Sequence, residues 1–186
     1  MTDKIIPDED VGMLLKQINS SIDKIECEER RKKGKGAQTK SCTHIDIYND
    51  GKWLCKDRVY QKLLSEEVRL KVIDLLKKNC RHRDSIRGNP ISYIFANRYL
   101  AGEMSGLSPH VDDALFGAVI VALTDDKKNE GLYLQDRFDE SERKDVILRK
   151  GYGVAVNPAQ MHGVHVCKRN VSRISLGFFF SNLPKQ

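Results

Sequence analysis

Three residue types at a short spacing raise the question of chemistry: in "SPHVDDALFG", residues 108–117, a histidine and two aspartates stand directly before an apolar run. On extended chain, side chains two apart share a face. His110 and Asp112 are therefore expected to project together and Asp113 away from them. A further ligand on that face must come from a distant strand, and "NPAQMHGVHVCKR" offers His162 and His165. Their odd offset of three puts them on opposite faces of a regular strand, so only one can join the pair. Either choice gives two imidazoles and one carboxylate. That facial set suits ferrous iron and leaves three coordination positions open, enough for a bidentate 2-oxo acid and dioxygen together. A distal carboxylate on such an acid needs an anchor. Arg173, in the otherwise apolar "SRISLGFFF", is costly to bury unless paired, and its planar fork matches a carboxylate. Ser175 shares its face, and Tyr99 lies in the segment before His110.

A second His-x-Asp, His44 and Asp46 in "CTHIDIY", is read differently. Cys42, His44, Asp46 and Tyr48 alternate with Ile45 and Ile47, the polar-out, apolar-in pattern of a hairpin strand.

The elements that must position these groups follow from periodicity. Val11, Leu14, Leu15, Ile18, Ile22 and Ile25 keep helical spacing behind Asp8, Glu9 and Asp10, which suit the positive end of the helix dipole. Ser65 caps a second helix carrying Val68, Val72, Leu75 and Leu76 on one side. "CTHIDIYNDGKWLCKDRVY" reads as a hairpin turned at Asn49-Asp50-Gly51. From Ile91 the chain becomes strand-like: "ISYIFANRY", "LFGAVIVAL", "GLYLQD", "DVILRK", "GVAVN", "GVHV" and "RISLGFFF". Helices first and a β remainder predict an α+β layout, with the strands in a sandwich or barrel.

The 186 residues, 40% hydrophobic, suit one domain, residues 1–186. No apolar run is long enough to span a membrane, and "MTDKIIPDEDVG" lacks the order of a secretory signal. Cys27, Cys42, Cys55, Cys80 and Cys167 are odd in number and show no CxxC pair, as in a reducing compartment. A cytoplasmic or nuclear location is expected. The net charge of +6 is local: "RRKKGKGAQTK" at 30–40 carries six Lys and Arg and no acid, so the rest is balanced. A nucleic-acid partner is not expected from one basic loop.

His110-x-Asp112, a distal histidine and Arg173-x-Ser175, behind a strand ending in Tyr99, resemble the Fe(II)/2-oxoglutarate-dependent dioxygenases, with the prolyl 4-hydroxylase-like branch the nearest in look. The likeness covers roughly residues 91–181, with residues 1–90 as helical and hairpin support. It implies a double-stranded β-helix (jelly-roll) core with iron at one mouth. It also places His162, followed by "GVHV", at a strand entry as third ligand, leaving His165 outward or behind the ligands. Arg173 would grip 2-oxoglutarate with Tyr99 and Ser175. The activity implied is hydroxylation of an unactivated C–H with O2, releasing succinate and CO2, with ascorbate as an accessory reductant. Collagen-type prolyl hydroxylases often carry Lys at the anchor, so Arg173 points away from collagen-like substrates. A peptidyl residue such as proline is the expected target, under covering loops at Asn49–Arg58 and "LAGEMSGLS" (100–108). The alternatives are a free amino-acid or small-molecule hydroxylase clamped by Arg98, Arg137 or Arg149, a nucleic-acid demethylase, and a non-catalytic β-barrel binding module. Phe178, Phe179 and Phe180 are expected to alternate faces and to fill the core rather than grip substrate.

Overall fold

The computed structural model describes residues 2–33, 42–79, 90–101, 106–112, 116–136, 142–167 and 172–180. Asp113, Cys80, Arg137, the basic segment from residue 34 and the middle of 100–108 lie outside them.

Strand β1 (Thr2–Lys4) precedes helix α1 (Asp8–Lys33), whose first turn holds the three acids. Val11, Leu14, Ile18 and Ile22 are at most 2% exposed, whereas Ile25 is 37% exposed, so the buried stripe ends one turn earlier than its spacing predicts. Each such fully buried aliphatic side chain contributes about 1.5–3 kcal/mol. Strand β2 (Cys42–Asn49) turns through Asp50 and Gly51, with φ of 43° and 86°, into β3 (Lys52–Trp53). Positive φ at both positions is what a type I′ turn requires. The hairpin is shorter than expected, because the chain then enters helix α2 (Arg58–Gln61), capped by Asp57, and a 3₁₀ turn. Helix α3 (Glu66–Asn79) starts as read, with the Val68 amide donating to Ser65 Oγ at 3.4 Å.

Eight further strands follow: β4 (Ile91–Tyr99), β5 (Leu107–His110), β6 (Gly117–Ala122), β7 (Leu132–Gln135), β8 (Arg143–Val146), β9 (Tyr152–Val156), β10 (His162–Val164) and β11 (Arg173–Phe180). They form two antiparallel sheets, β1-β9-β6-β11-β4-β2-β3 and β5-β10-β7-β8. Strand β8 begins two residues before the expected "DVILRK", and Ile147 is left 55% exposed.

The helices cover one face of the large sheet. Leu14, Ile18, Val72 and Leu75 join Ile45, Ile94, Leu176, Phe178 and Phe180 in one apolar cluster. The small sheet faces the other side, where Leu132 and Val164 pack with Tyr99, Ala122, Val154 and Val156. A bulge in β2 between Asp46 and Tyr48 shifts the register and turns Tyr48 into the helix-side core, off the face it was expected to share with His44. Phe179 lies on the face opposite Phe178 and Phe180, as their alternation predicts, but it is only partly buried where a core position was expected. No helix among the described residues is long and apolar enough to cross a membrane.

Candidate metal centre

His110 ends β5 and His162 begins β10, and the two are direct partners across that pair. Their ring centroids are 4.4 Å apart. The strand lies before the His-x-Asp motif, where the sequence placed it after. Strand β5 is at an edge of its sheet, which is where Pro109 is tolerated, because proline has no N–H to donate. Asp112 sits just past the strand, with Oδ1 3.5 Å from His110 Nε2 and Oδ2 3.3 Å from His162 Nε2. Its side chain is 13% exposed, that of His162 4% and that of His110 36%, so the group opens on the His110 side.

Backbone contacts set which nitrogens face the centre. His110 Nδ1 lies 2.9 Å from the Ser108 carbonyl, and His162 Nδ1 3.1 Å from that of Gln160. A carbonyl only accepts, so each Nδ1 donates, and each Nε2 presents a lone pair beside the carboxylate. Asp112 Oδ2 is buried and has no hydrogen-bond partner among the described residues. Burial would raise the Asp112 carboxyl, but the two imidazoles beside it outweigh that and hold the group well below the usual carboxylate range. Three electron-rich atoms converging on one point need a cation among them. The ligand atoms lie within 4.8 Å of one another, and no other such group occurs among the described residues.

The residue beside His162 must be small. A Cβ on Gly163 would stand 2.4 Å from Tyr133 Oη and 2.7 Å from the Leu107 carbonyl oxygen. His165 lies away from the cluster, as its odd offset predicts: its Nε2 is 2.8 Å from Asp145 Oδ1 and its ring 4.5 Å from that of Tyr133. His44 and Asp46 bind each other and Asn97 and Tyr93, not a metal cluster.

Arg173 is fully buried and opposite Tyr99, with its guanidinium carbon 5.5 Å from that ring. It is not waiting for an acid. Its Nε donates to Asp126 Oδ1 at 2.8 Å and Nη2 to Oδ2 at 3.4 Å. Only Nη1 is left, buried and without a partner among the described residues. Asp126 had no signal in the sequence beyond its charge. Ser175 shares the Arg173 face and lies between Asn97 and Ala122. The Tyr99 hydroxyl accepts from Asn97 Nδ2 at 3.3 Å, and burial pushes it up to about 12. Burial likewise raises the Cys42 thiol to about 11. Arg98, a candidate clamp, faces the helix side, where it binds Asp23 and Glu26 at 2.7 and 3.0 Å. Arg149 is exposed.

No protein-family model matches the chain, and no curated protein sequence matches it significantly. Solved structures do share its fold. AviO1 from Streptomyces viridochromogenes superimposes with a TM-score of 0.66 at 10% identity, covering 98% of this chain and 89% of that one. HygX from Streptomyces hygroscopicus, solved with nickel and 2-oxoglutarate bound, gives 0.59 at 12% identity, covering 98% and 82%. SnoN, a non-heme alpha-ketoglutarate-dependent epimerase from nogalamycin biosynthesis, gives 0.56 at 13% identity, covering 97% and 76%.

Proposed function

We propose that the chain is an Fe(II)- and 2-oxoglutarate-dependent oxygenase acting on a small molecule. The observation that carries this reading is the convergence of His110 Nε2, His162 Nε2 and a buried, unsatisfied Asp112 oxygen on one point. In support, strands β4 to β11 divide into the orders β4-β11-β6-β9 and β5-β10-β7-β8, alternating between the sheets except at the β7–β8 hairpin. We read that arrangement as a double-stranded β-helix, and residues 1–186 as one such domain.

On this reading His110, Asp112 and His162 hold the iron on one face. Arg173 Nη1, the unspent donor of a buried guanidinium, receives one oxygen of the distal carboxylate of 2-oxoglutarate. Asp126 fixes the other edge of the fork, Tyr99 walls the same end, and Ser175 stands next along the face. When bound, iron, 2-oxoglutarate and O2 supply the oxidising power to attack an unactivated C–H, with succinate and CO2 released. The side chains exclude water around that centre, through Tyr99, Val164 and Leu132, and orient what binds there.

The expected peptidyl-proline target gains no support. HygX binds 2-oxoglutarate and SnoN serves nogalamycin biosynthesis, which favours the small-molecule alternative. The test is calorimetric binding of 2-oxoglutarate to the Mn(II)-loaded protein, followed by O2-dependent succinate release with Fe(II). Tight binding without any turnover, even with candidate substrates, would leave a binding module; no binding at all would remove the reading.

A further inference from the structure

The face of the large sheet turned toward the small sheet is laid out in rows across β2, β4 and β11. Cys42, Tyr99 and Arg173 align first, then His44, Asn97 and Ser175, then Asp46, Phe95 and Gly177. Tyr99 packs with Val164, which is the partner of Leu107 in the small sheet. Val164 thus packs on the first row, whereas His162 follows the turn out of β9, whose last residue Val156 lies level with Ala118 and Phe179 beyond the third row. The small sheet therefore runs from the first row toward the later ones. Packed sheets keep their strands roughly aligned, so the second and third rows form the wall across from the histidines.

That wall has two components. The rings of His44, Tyr93 and Phe95 lie within 35° of one another at centroid separations of 5.0 to 6.3 Å, with Phe179 set edge-on beneath Phe95 at 5.1 Å. The Phe95 ring folds over Gly177, where a Cβ would meet it at 2.2 Å. Along the edge of this platform His44 binds Asn97 Oδ1 and Asp46 Oδ1, each at 2.7 Å, and the Tyr93 hydroxyl donates to the same Asp46 oxygen. Both of these Asp46 bonds fall on Oδ1, and half of its side chain, 52%, faces solvent. Among the described residues of these rows the cationic groups are already paired: Arg173 with Asp126, and His44, whose two nitrogens both face acceptors, with Asp46.

We infer, resting on the function proposed above, that this wall recognises the primary substrate, and that the substrate is a small hydroxylated ring compound without negative charge. Aromatic faces take the flat apolar side of a ring, while a few fixed polar groups orient it. Asp46 accepts from a ring hydroxyl or amine and repels a phosphate or carboxylate, for which the wall holds no free fork. A peptide that adds as a strand needs an open sheet edge; β4 and β11, which carry Phe95, Asn97 and Ser175, are each paired on both sides, while β2 meets β3 only at Tyr48 and Asn49.

The test uses saturation-transfer NMR on the full chain, with and without Mn(II) and 2-oxoglutarate. The probes are methyl glucoside, glucosamine, glucose 6-phosphate and glucuronate. Transfer to the first two and not to the two anions is expected. Asp46→Asn, a change at an exposed side chain, should weaken binding about tenfold, the equivalent of one charge-assisted hydrogen bond. Gly177→Ala, which drives a methyl into the Phe95 ring, should abolish transfer; its thermal unfolding is followed on the same sample, and if it does not fold, Asp46→Asn alone decides. Absence of transfer to any probe, binding of the anions in equal measure, or binding undiminished in Asp46→Asn overturns the inference. Failure of 2-oxoglutarate to bind while the ring probes still do would instead strike the function proposed above and spare the wall.

Discussion

Asp126→Asn isolates the ion pair under the site. Both side chains of the Arg173–Asp126 pair are fully buried, and Arg173 Nη1 already has no partner among the described residues. Removing the carboxylate charge leaves a guanidinium with nothing to compensate it. Breaking a buried pair by removing one partner costs about 3–5 kcal/mol, while replacing both by apolar groups of similar volume is far less damaging. In a domain of this size 1 kcal/mol moves Tm by about 2–4 °C, so Asp126→Asn should lower it by roughly 6–20 °C. Asparagine can still accept from Arg173 Nε, which favours the lower part of that range. The double variant Asp126→Leu/Arg173→Met should recover much of the loss. One further consequence ties the pair to the cosubstrate: 2-oxoglutarate brings a carboxylate to the stranded guanidinium, so it should raise the Tm of Asp126→Asn by more than it raises that of the wild type. Circular dichroism melts with and without 2-oxoglutarate and Mn(II) measure all three. A drop under about 2 °C for the single variant, or an equal 2-oxoglutarate response in both proteins, refutes the account.

Mn(II) at a hundred times its dissociation constant should stabilise the wild type by about 2.7 kcal/mol, or roughly 5–11 °C. His110→Ala and Asp112→Ala should melt without any response to the metal and release no succinate; a metal response retained in both would dismiss the assigned ligands. Hydrogen bonding from Tyr93, helped by His44 and opposed by burial, holds the Asp46 carboxyl below its ordinary value. Its stabilising effect is therefore complete above the unfolded pKa of about 3.9 and disappears as the pH falls through the lower folded value. The Tm gap between wild type and Asp46→Asn should be level from pH 7 to about 4 and close below that; a gap unchanged to pH 2.5 contradicts the pairing. Cys42, half-buried with its thiol raised to about 11, should label with maleimide at pH 7.5 far more slowly than exposed Cys27, as peptide mapping by mass spectrometry would show.

What was legible in the sequence was what local chemistry makes conspicuous. His110, Asp112, His162 and Arg173 are polar groups set in or beside apolar strands, where each carries a desolvation cost that demands a reason. Period-two and helical spacing located most strands and both long helices, because burial on one face repeats at fixed intervals. Tyr48 escaped that rule through a single bulge, since one extra residue flips every following side chain to the other face. Asp126 escaped for a different reason. Within "TDDKKNEG" it reads as an ordinary solvated turn. It becomes buried because the turn folds back on the chain: its amide donates to the Leu148 carbonyl at 2.8 Å, and Gly131 leaves room for its carboxylate, where a Cβ would stand 2.6 Å from Oδ2. A buried arginine announces in sequence that a partner must exist. Which acid answers is decided by loop closure over 47 residues, and no periodicity encodes that. Here the closure gives two donors to Asp126 and withholds Nη1, so the part of Arg173 open to chemistry is one edge of its fork and not the whole.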